Sequence, residues 1–365
     1  MQREKSLSED VDSASEVFEA YEDPALPKLR WREVRLLGKG TFSRVVLARL
    51  IASPDNEIRY GESKELVAVK IVEITSAGGA SRERIESGLK REVDILKNLN
   101  HACLIHLIAF NLEPTRALIV LPYCHGGDLF DLATSTSRLD LLQPHVVRRL
   151  FAEVVSAVGY LHRNNIVHRD IKLENVLLVV DQSAVESAVH ESRPLTCLTD
   201  FGLSRQIDPS NPLLTTRCGS EDYAPPELIM GQSYDGRQTD AWALGVLLYA
   251  LMEGRFPFDS PPPLPGSASR KSGSARNRVK HRIARIEWCW VRFRRRTENE
   301  DDVYSYDHDL DSSDEDETIA DINLWTGAQQ IVERCLRRKD SRISVNQIAE
   351  SPWLKGAVDI LGIKQ

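Results

Sequence analysis

The stretch His168-Arg-Asp-Ile-Lys-Leu-Glu-Asn ("HRDIKLEN") gathers Asp170, Lys172 and Asn175 within a few residues. Further along, "LTDFGLSR" supplies a second carboxylate, Asp200. An Asp-Lys-Asn-Asp set makes little sense as core, because charged groups are almost never fully buried without partners. Phosphoryl transfer is a chemistry that asks for such types. It needs a carboxylate to orient the attacking hydroxyl, metal ions to neutralise phosphate charge, and close positioning. The loop "LGKGTFSRVV" suits the same chemistry, with Gly38 and Gly40 placed to cradle phosphate and Ser43 where a third glycine is expected. Alone, such a loop is weak evidence. Strand-like runs flank it on both sides ("REVRLL" and "RVVLARL"), so a hairpin lid fits and a dinucleotide-binding strand-loop-helix does not. No Gly-Lys-Ser/Thr follows, which excludes a Walker A loop.

In their order, "HRDIKLEN" and "DFG" resemble the catalytic and metal-binding loops of eukaryotic protein kinases. The resemblance runs from about Trp31 to Trp353, apart from two inserts. It implies a two-lobed α+β fold, with a small β-rich N-lobe holding one helix and a larger helical C-lobe. It implies ATP and Mg2+ as cofactors and phosphoryl transfer to protein hydroxyls as the activity. By match to the motif, Asp170 accepts the hydroxyl proton, Lys172 stabilises the transferring phosphate, and Asn175 and Asp200 hold Mg2+. Lys70, in "LVAVKIVEI", would clamp the α- and β-phosphates and pair with Glu92. Glu83 and Glu86 rival Glu92 on composition, but "REVDILKNLNH" fits the family's pattern with Glu92.

The stretch "LIVLPYCHGGDLFD" is similar to the hinge between kinase lobes. Leu121 would stand beside the adenine, the Pro122 carbonyl and Cys124 amide would bond it, and Asp128 would reach the ribose. Proline is acceptable at 122 because it lacks only the N–H. Lys39, Val45, Ala68, Glu174 and Leu177 join Gly38, Gly40 and Ser43 as implied ATP contacts, with Phe42 capping the loop tip. Lys172 together with "CGSEDYAPPE" is similar to the Ser/Thr type, most like the calcium/calmodulin-dependent and nutrient-sensing branch. Ser220 would sit in the loop that receives the residue after the phosphoacceptor. One departure is Pro225, where the family's Ala-Pro-Glu becomes Pro-Pro-Glu. Glu227 survives, and its implied partner is Arg342. Arg169 implies a switch in which phosphorylated Thr216, or its neighbour Thr215, pins the activation segment. Asp128 and Glu174 could favour a basic residue before the phosphoacceptor, mildly, since Ala250 stands where strongly basophilic relatives carry a carboxylate. An alternative reading is a catalytically weak pseudokinase scaffold acting through its charged insert. The complete set Lys70, Glu92, Asp170, Asn175 and Asp200 separates the two.

The elements that must hold these residues are legible in outline. Residues 29–121 are strand-rich and broken by one helix, "RERIESGLKREVDILKNL", with Ile85, Leu89, Val93, Leu96 and Leu99 at helical spacing. Residues 122–127 form the hinge, and 128–356 turn helical, with "VVRRLFAEVVSAVGYLHRNN" and "DAWALGVLLYALMEG" as long apolar helices. Residues 1–28 are acidic and Ser-rich and read as a disordered tail; 357–365 form a C-terminal tail. A polar insert near 181–194 reads as a surface loop. A larger one near 260–318 contains "RVKHRIARIEWCWVRFRRR", then the acid run 298–317 with Ser312 and Ser313 in an acidophilic kinase context. In the basic part Val279, Ile283, Ile286, Trp290 and Phe293 share a helical face. That pattern serves either a membrane-surface or calmodulin-target helix, or the helix and loop that follow "GRFPFD" in the helical lobe, which is favoured.

The 365 residues can bury a sizeable core, and 42% hydrophobic with 28% charged residues is ordinary for a globular protein. A net charge of −7 gives no global pull toward nucleic acid or anionic membrane, so no nucleic-acid partner is expected. Six scattered cysteines without a C-x-x-C pair argue for reduced thiols inside a cell. The longest apolar run, 241–252, is too short to span a bilayer. The expected location is cytoplasmic, with nuclear import raised by the basic clusters. Protein substrates are the expected partners, with an upstream kinase if Thr216 is modified. Calmodulin is not expected, the chain ending soon after Trp353.

Overall fold

The computed structural model describes residues 15–40, 43–51, 66–74, 79–134, 142–260, 275–293 and 315–357. Phe42, Ser312, Ser313, the acid run up to residue 314 and residues 358–365 lie outside them. Contacts divide the chain into one unit of residues 1–100 and 105–123 and another of residues 101–104 and 124–365.

The first unit is an antiparallel sheet of six strands: β1 (Val17–Ala20), β2 (Leu29–Lys39), β3 (Ser43–Leu50), β4 (Leu66–Glu73), β5 (Ala109–Leu112) and β6 (Arg116–Pro122). Its order is β1-β2-β3-β4-β6-β5. Alternation along β4 sends Val67, Val69 and Ile71 into a core with Trp31, Val46, Leu118 and Val120, and Lys70 to the other face. One helix, α1 (Gly79–Asn98), interrupts the strands and buries Leu89, Val93 and Leu96. Of the run "CLIHLIAFNL", only Ala109–Leu112 is strand, and residues 101–104 belong to the second unit.

Strand β1 shows order within residues 15–28 of the expected disordered tail, while residues 1–14 lie outside the described residues. It pairs with β2, and Tyr21 and Phe110 exchange backbone hydrogen bonds of 2.9 Å, so the chain just beyond β1 also meets β5. That single bridge ties the chain after β1 to the other outer strand of the sheet. Phe18 is fully buried, and Glu16 pairs with Arg44 at 2.6 Å and with Arg116. Those two guanidinium groups hold the Glu16 carboxyl below the usual carboxylate range, despite the opposing pull of burial.

The second unit is mainly helical. It contains α2 (Leu129–Thr134), α3 (Pro144–Arg163), α4 (Val185–Ala188), α5 (Pro226–Ile229), α6 (Gly236–Glu253), α7 (Ala275–Arg285), α8 (Glu315–Cys335) and α9 (Val345–Ala349). Three two-stranded ribbons accompany them: β7 (Ile166–Val167) with β10 (Arg205–Gln206), β8 (Val176–Leu178) with β9 (Thr196–Leu198), and β11 (Leu213–Leu214) with β12 (Tyr234–Asp235). Helix α6 is apolar all round and buried on nearly every side, as such a sequence requires. The Asp235 side chain caps its start by accepting from Arg237 N.

The first insert is more ordered than the sequence suggests, and the second follows its favoured reading except at one turn. Residues 181–194 lie mostly at the surface, as expected, but contain a short helix and are anchored to the body of the unit. Val185, Ala188 and Val189 are buried, and the Arg149 guanidinium donates to the carbonyls of Val189, Glu191 and Arg193. Arg149 is itself paired with the fully buried Glu153 at 2.7 Å. In the second insert the shared helical face is interrupted. Helix α7 stops at Arg285, and Ile286 turns the chain with φ +58°, a conformation β-branched residues rarely adopt. Beyond it Trp288 and Trp290 pack on Tyr249, and Phe293 on Trp325. The Glu253 carboxylate accepts from the backbone N–H groups of Val291, Arg292 and Phe293. Helix plus packed loop is the favoured sequence reading of this stretch.

Candidate active site

In the first unit, β2 and β3 form the glycine-loop hairpin, with Gly38 opposite Val45 and Lys39 opposite Arg44. Gly40 N–H donates to Ser43 O at 2.7 Å, closing the base of the turn. A Cβ on Gly38 would meet nothing within 4 Å, whereas one on Gly40 would lie 3.0 Å from Ser43 Oγ. Ser43 therefore fits beside Gly40 because that residue has no side chain. Lys70 lies opposite Val45 on β3 and Ile119 on β6, and Ala68 opposite Leu121. Lys70 Nζ meets Glu92 Oε1 of α1 at 2.6 Å, with both side chains largely out of solvent. Glu83 and Glu86 are exposed, and Glu86 pairs with Arg82. Pro122 ends β6 opposite Val67.

In the second unit, residues 124–128 are strapped onto β8. Gly126 N–H donates to Leu178 O at 3.1 Å, and Leu178 N–H to Gly127 O at 2.8 Å. Gly126 has to be glycine, since a Cβ there would stand 1.9 Å from the Val180 carbonyl oxygen. Asp128 bridges to Leu177, and its Oδ1 accepts from Asp131 N–H at 2.9 Å at the start of α2. Partial burial pushes the Asp128 carboxyl above its usual range.

The loop after β7 is built around Asp170. Its Oδ1 accepts from Ser220 N and Oγ, both at 3.0 Å, and its Oδ2 from Lys172 Nζ at 2.8 Å. Asn175 Nδ2 donates to Asp170 O at 2.8 Å and to Oδ2 at 3.2 Å. That leaves the Asn175 carbonyl oxygen as its group to offer a cation. Asp200 adds a carboxylate from an exposed position at φ +65°. Asn175 and Asp200 thus offer hard oxygen donors, which suit Mg2+. Among the described residues, no group of three or more His, Cys, Asp or Glu is arranged to hold a metal by itself, so such an ion would also need substrate phosphate and water ligands. Glu174 lies 3.5 Å from the Tyr223 hydroxyl, which accepts from Leu173 N–H.

Several positioning residues escape a motif reading. Asp240 of α6 accepts from the backbone of His168 at 3.0 Å and of Arg169 at 2.9 Å, and contacts His162 Nε2 at 2.8 Å. A buried aspartate inside an apolar helix was the available signal, since such a group demands partners. Burial holds the His168 imidazole below the usual histidine range, and its Nε2 faces Thr199 O at 3.1 Å. Gly219, at φ +92°, lets Ser220 reach Asp170; a Cβ there would sit 2.6 Å from Arg169 O. Arg169 donates to Leu203 O and to the Tyr234 hydroxyl, which donates in turn to Thr216 O at 2.7 Å. Thr215 and Thr216 are exposed. Glu227 and Arg342 form a buried two-pronged pair at 2.6 and 3.0 Å, with the guanidinium over Trp242. The departure at Pro225 is accommodated: its carbonyl accepts from Leu228 and Ile229, and Pro226 opens α5, where no N–H is required.

A family model for the protein kinase domain matches residues 31–354. The chain is 36% identical over 367 residues to the serine/threonine-protein kinase PRR1 of Saccharomyces cerevisiae, covering 91% of this chain and 63% of that protein. It is 34% identical over 243 residues to the serine/threonine-protein kinase ppk27 of Schizosaccharomyces pombe, covering 65% and 57%. To the serine/threonine-protein kinase SIK1 of Mus musculus it is 37% identical over 227 residues, covering 62% and 25%. The chain thus spans less than two thirds of the length of each of these relatives.

Proposed function

The chain belongs to the protein kinase family, and on that premise we propose that it transfers the γ-phosphate of Mg·ATP to serine and threonine hydroxyls of protein substrates. The observation that carries the proposal is the Asp170 carboxylate, fixed by Ser220, Lys172 and Asn175. In this reading Asp170 takes the proton of the attacking hydroxyl, a role that accelerates such reactions by about 10²–10⁴-fold. Lys172, 2.8 Å from Asp170, supplies positive charge where the transferring phosphoryl group develops negative charge. Asn175 and Asp200 would hold Mg2+, which would supply charge neutralisation at the phosphate oxygens of ATP. Lys70, oriented by Glu92, binds the α- and β-phosphates. Gly38, Lys39, Gly40 and Ser43 cover the phosphates, while Val45, Ala68, Leu121 and Leu177 line the adenine. Pro122 O and Cys124 N bond its edge, with Asp128 and Glu174 toward the ribose.

Substrate class rests on Lys172 and Ser220 beside Asp170, and on the serine/threonine designation in the names of the relatives. Thr216 is the proposed site for an upstream kinase. A phosphate there would draw the Arg169 guanidinium, now one hydroxyl away through Tyr234, into a charge-assisted pair. A scaffold without activity is disfavoured, because Lys70, Glu92, Asp170, Asn175 and Asp200 are all present. Among the described residues no helix is long and apolar enough to cross a membrane. Degenerate peptide libraries with serine, threonine or tyrosine acceptors, incubated with Mg·ATP, test the substrate class. Label is expected on serine and threonine peptides; label confined to tyrosine would overturn it.

A further inference from the structure

Between β10 and α5 the chain forms little regular structure, the two-residue strand β11 and a 3-10 turn at Glu221–Tyr223, so it needs support from elsewhere. Two supports leave from the start of α6. The Asp240 carboxylate fixes the backbone of His168 and Arg169, and β12, directly before the helix, sets Tyr234 opposite Leu214 and Asp235 opposite Leu213. Tyr234 is 2% exposed. Its hydroxyl donates to Thr216 O at 2.7 Å, so it accepts in its contacts with Arg169 Nη1 at 3.3 Å and Cys218 Sγ at 4.0 Å. Burial pushes the phenol up to about 12, which keeps it a neutral donor. We propose that Tyr234 is a positioning residue that orders residues 216–220 without a phosphate, its hydroxyl tying the Thr216 carbonyl to Arg169.

At the far end of that stretch, Ser220 N and Oγ meet Asp170 Oδ1, both at 3.0 Å, and Gly219 runs close against Arg169 O. The chain is therefore held at both ends on neighbouring residues, Arg169 through Tyr234 and Asp170 through Ser220. The guanidinium on one side of the Tyr234 hydroxyl polarises it and strengthens it as a donor on the other. The acceptor is the backbone carbonyl of Thr216, so the link does not depend on the threonine side chain. A phosphate on Thr216 would take the Arg169 guanidinium for itself and make the hydroxyl dispensable. The inference rests on the proposed transfer chemistry at Asp170 and on Thr216 as the modified residue, and it supplies the ordering contact that acts before modification.

The test places Tyr234→Phe, which keeps the buried ring, in two full-chain backgrounds. One is Thr215→Ala with Thr216→Ala; the other carries phosphothreonine installed at position 216 during synthesis. In the alanine background the phenylalanine variant should exchange the amide hydrogens of residues 217–220 about tenfold faster than its parent. Its kcat/KM for a serine or threonine peptide should fall by about tenfold, with Mg·ATP affinity within about twofold. With phosphothreonine at 216, both differences should shrink to about twofold or less. Unchanged exchange and transfer in the alanine background would overturn the inference, as would an equal loss in both backgrounds, which marks a merely structural role. An alanine-background parent that transfers nothing while the phosphorylated protein is active would overturn it too. Faster exchange with no transfer by any of the four proteins would keep the ordering role and overturn the phosphotransferase reading instead.

Discussion

Asp170→Asn is expected to lower kcat by about 10²–10⁴-fold while leaving Mg·ATP affinity within a few-fold of the wild type. The substitution keeps the shape of the side chain, so the backbone hydrogen bond from Ser220 can persist on the amide oxygen. The opposite end becomes an NH2 group facing Lys172 Nζ and Asn175 Nδ2, which are both donors. Losing those bonds, one of them charge-assisted, costs about 1.5–3 kcal/mol locally. The effect on rate has a separate origin, the loss of the group proposed to accept the hydroxyl proton. Steady-state kinetics beside equilibrium nucleotide binding separate the two effects. A kcat within about fivefold of wild type would remove Asp170 from the chemistry.

Arg342→Ala should produce a large loss of stability. Both members of the Glu227–Arg342 pair are almost out of solvent, and Arg342 also donates to Gln238 O and Arg337 O. Removing the guanidinium leaves Glu227 charged, buried and unpaired, which costs about 3–5 kcal/mol. Lys280→Ala is the matched control. Its pair with Glu221 is exposed, so its loss should cost less than about 1 kcal/mol. Urea denaturation of the three proteins checks the difference. Equal midpoints for the two variants would show that burial does not decide the strength of these pairs. The pair ties α5, which carries Glu227, to the chain just before α9, which carries Arg342.

Much of this was readable without coordinates, because fixed spacing within a few residues survives any fold. Asp170, Lys172 and Asn175 sit on one loop and meet there. Lys70 and Glu92 were paired by match to the kinase pattern, one on a strand and one on a helix, and they meet at 2.6 Å. What escaped was long-range or too short to show a period. Strand β1 has four residues and so only two inward positions, yet the partners of Glu16 lie far along the chain at Arg44 and Arg116. Asp240 was hidden in an apolar helix, and Tyr234 in a two-residue strand. The 181–194 segment looked polar, because the anchor that fixes it, Arg149, belongs to α3. At Ile286 a helical hydrophobic pattern continued through a residue whose backbone had already left the helix. Periodicity records which side chains are apolar, not where the backbone turns.

The most direct test of the account is single-turnover phosphate transfer from Mg·ATP to a hydroxyl-bearing peptide, comparing wild type with Asp200→Asn. Wild-type protein should yield phosphoserine or phosphothreonine, and the variant should be slower by about 10²-fold or more, through loss of charge stabilisation at the phosphate. Equal transfer by the two proteins, or none by either, would contradict the reading of this chain as a metal-assisted phosphotransferase.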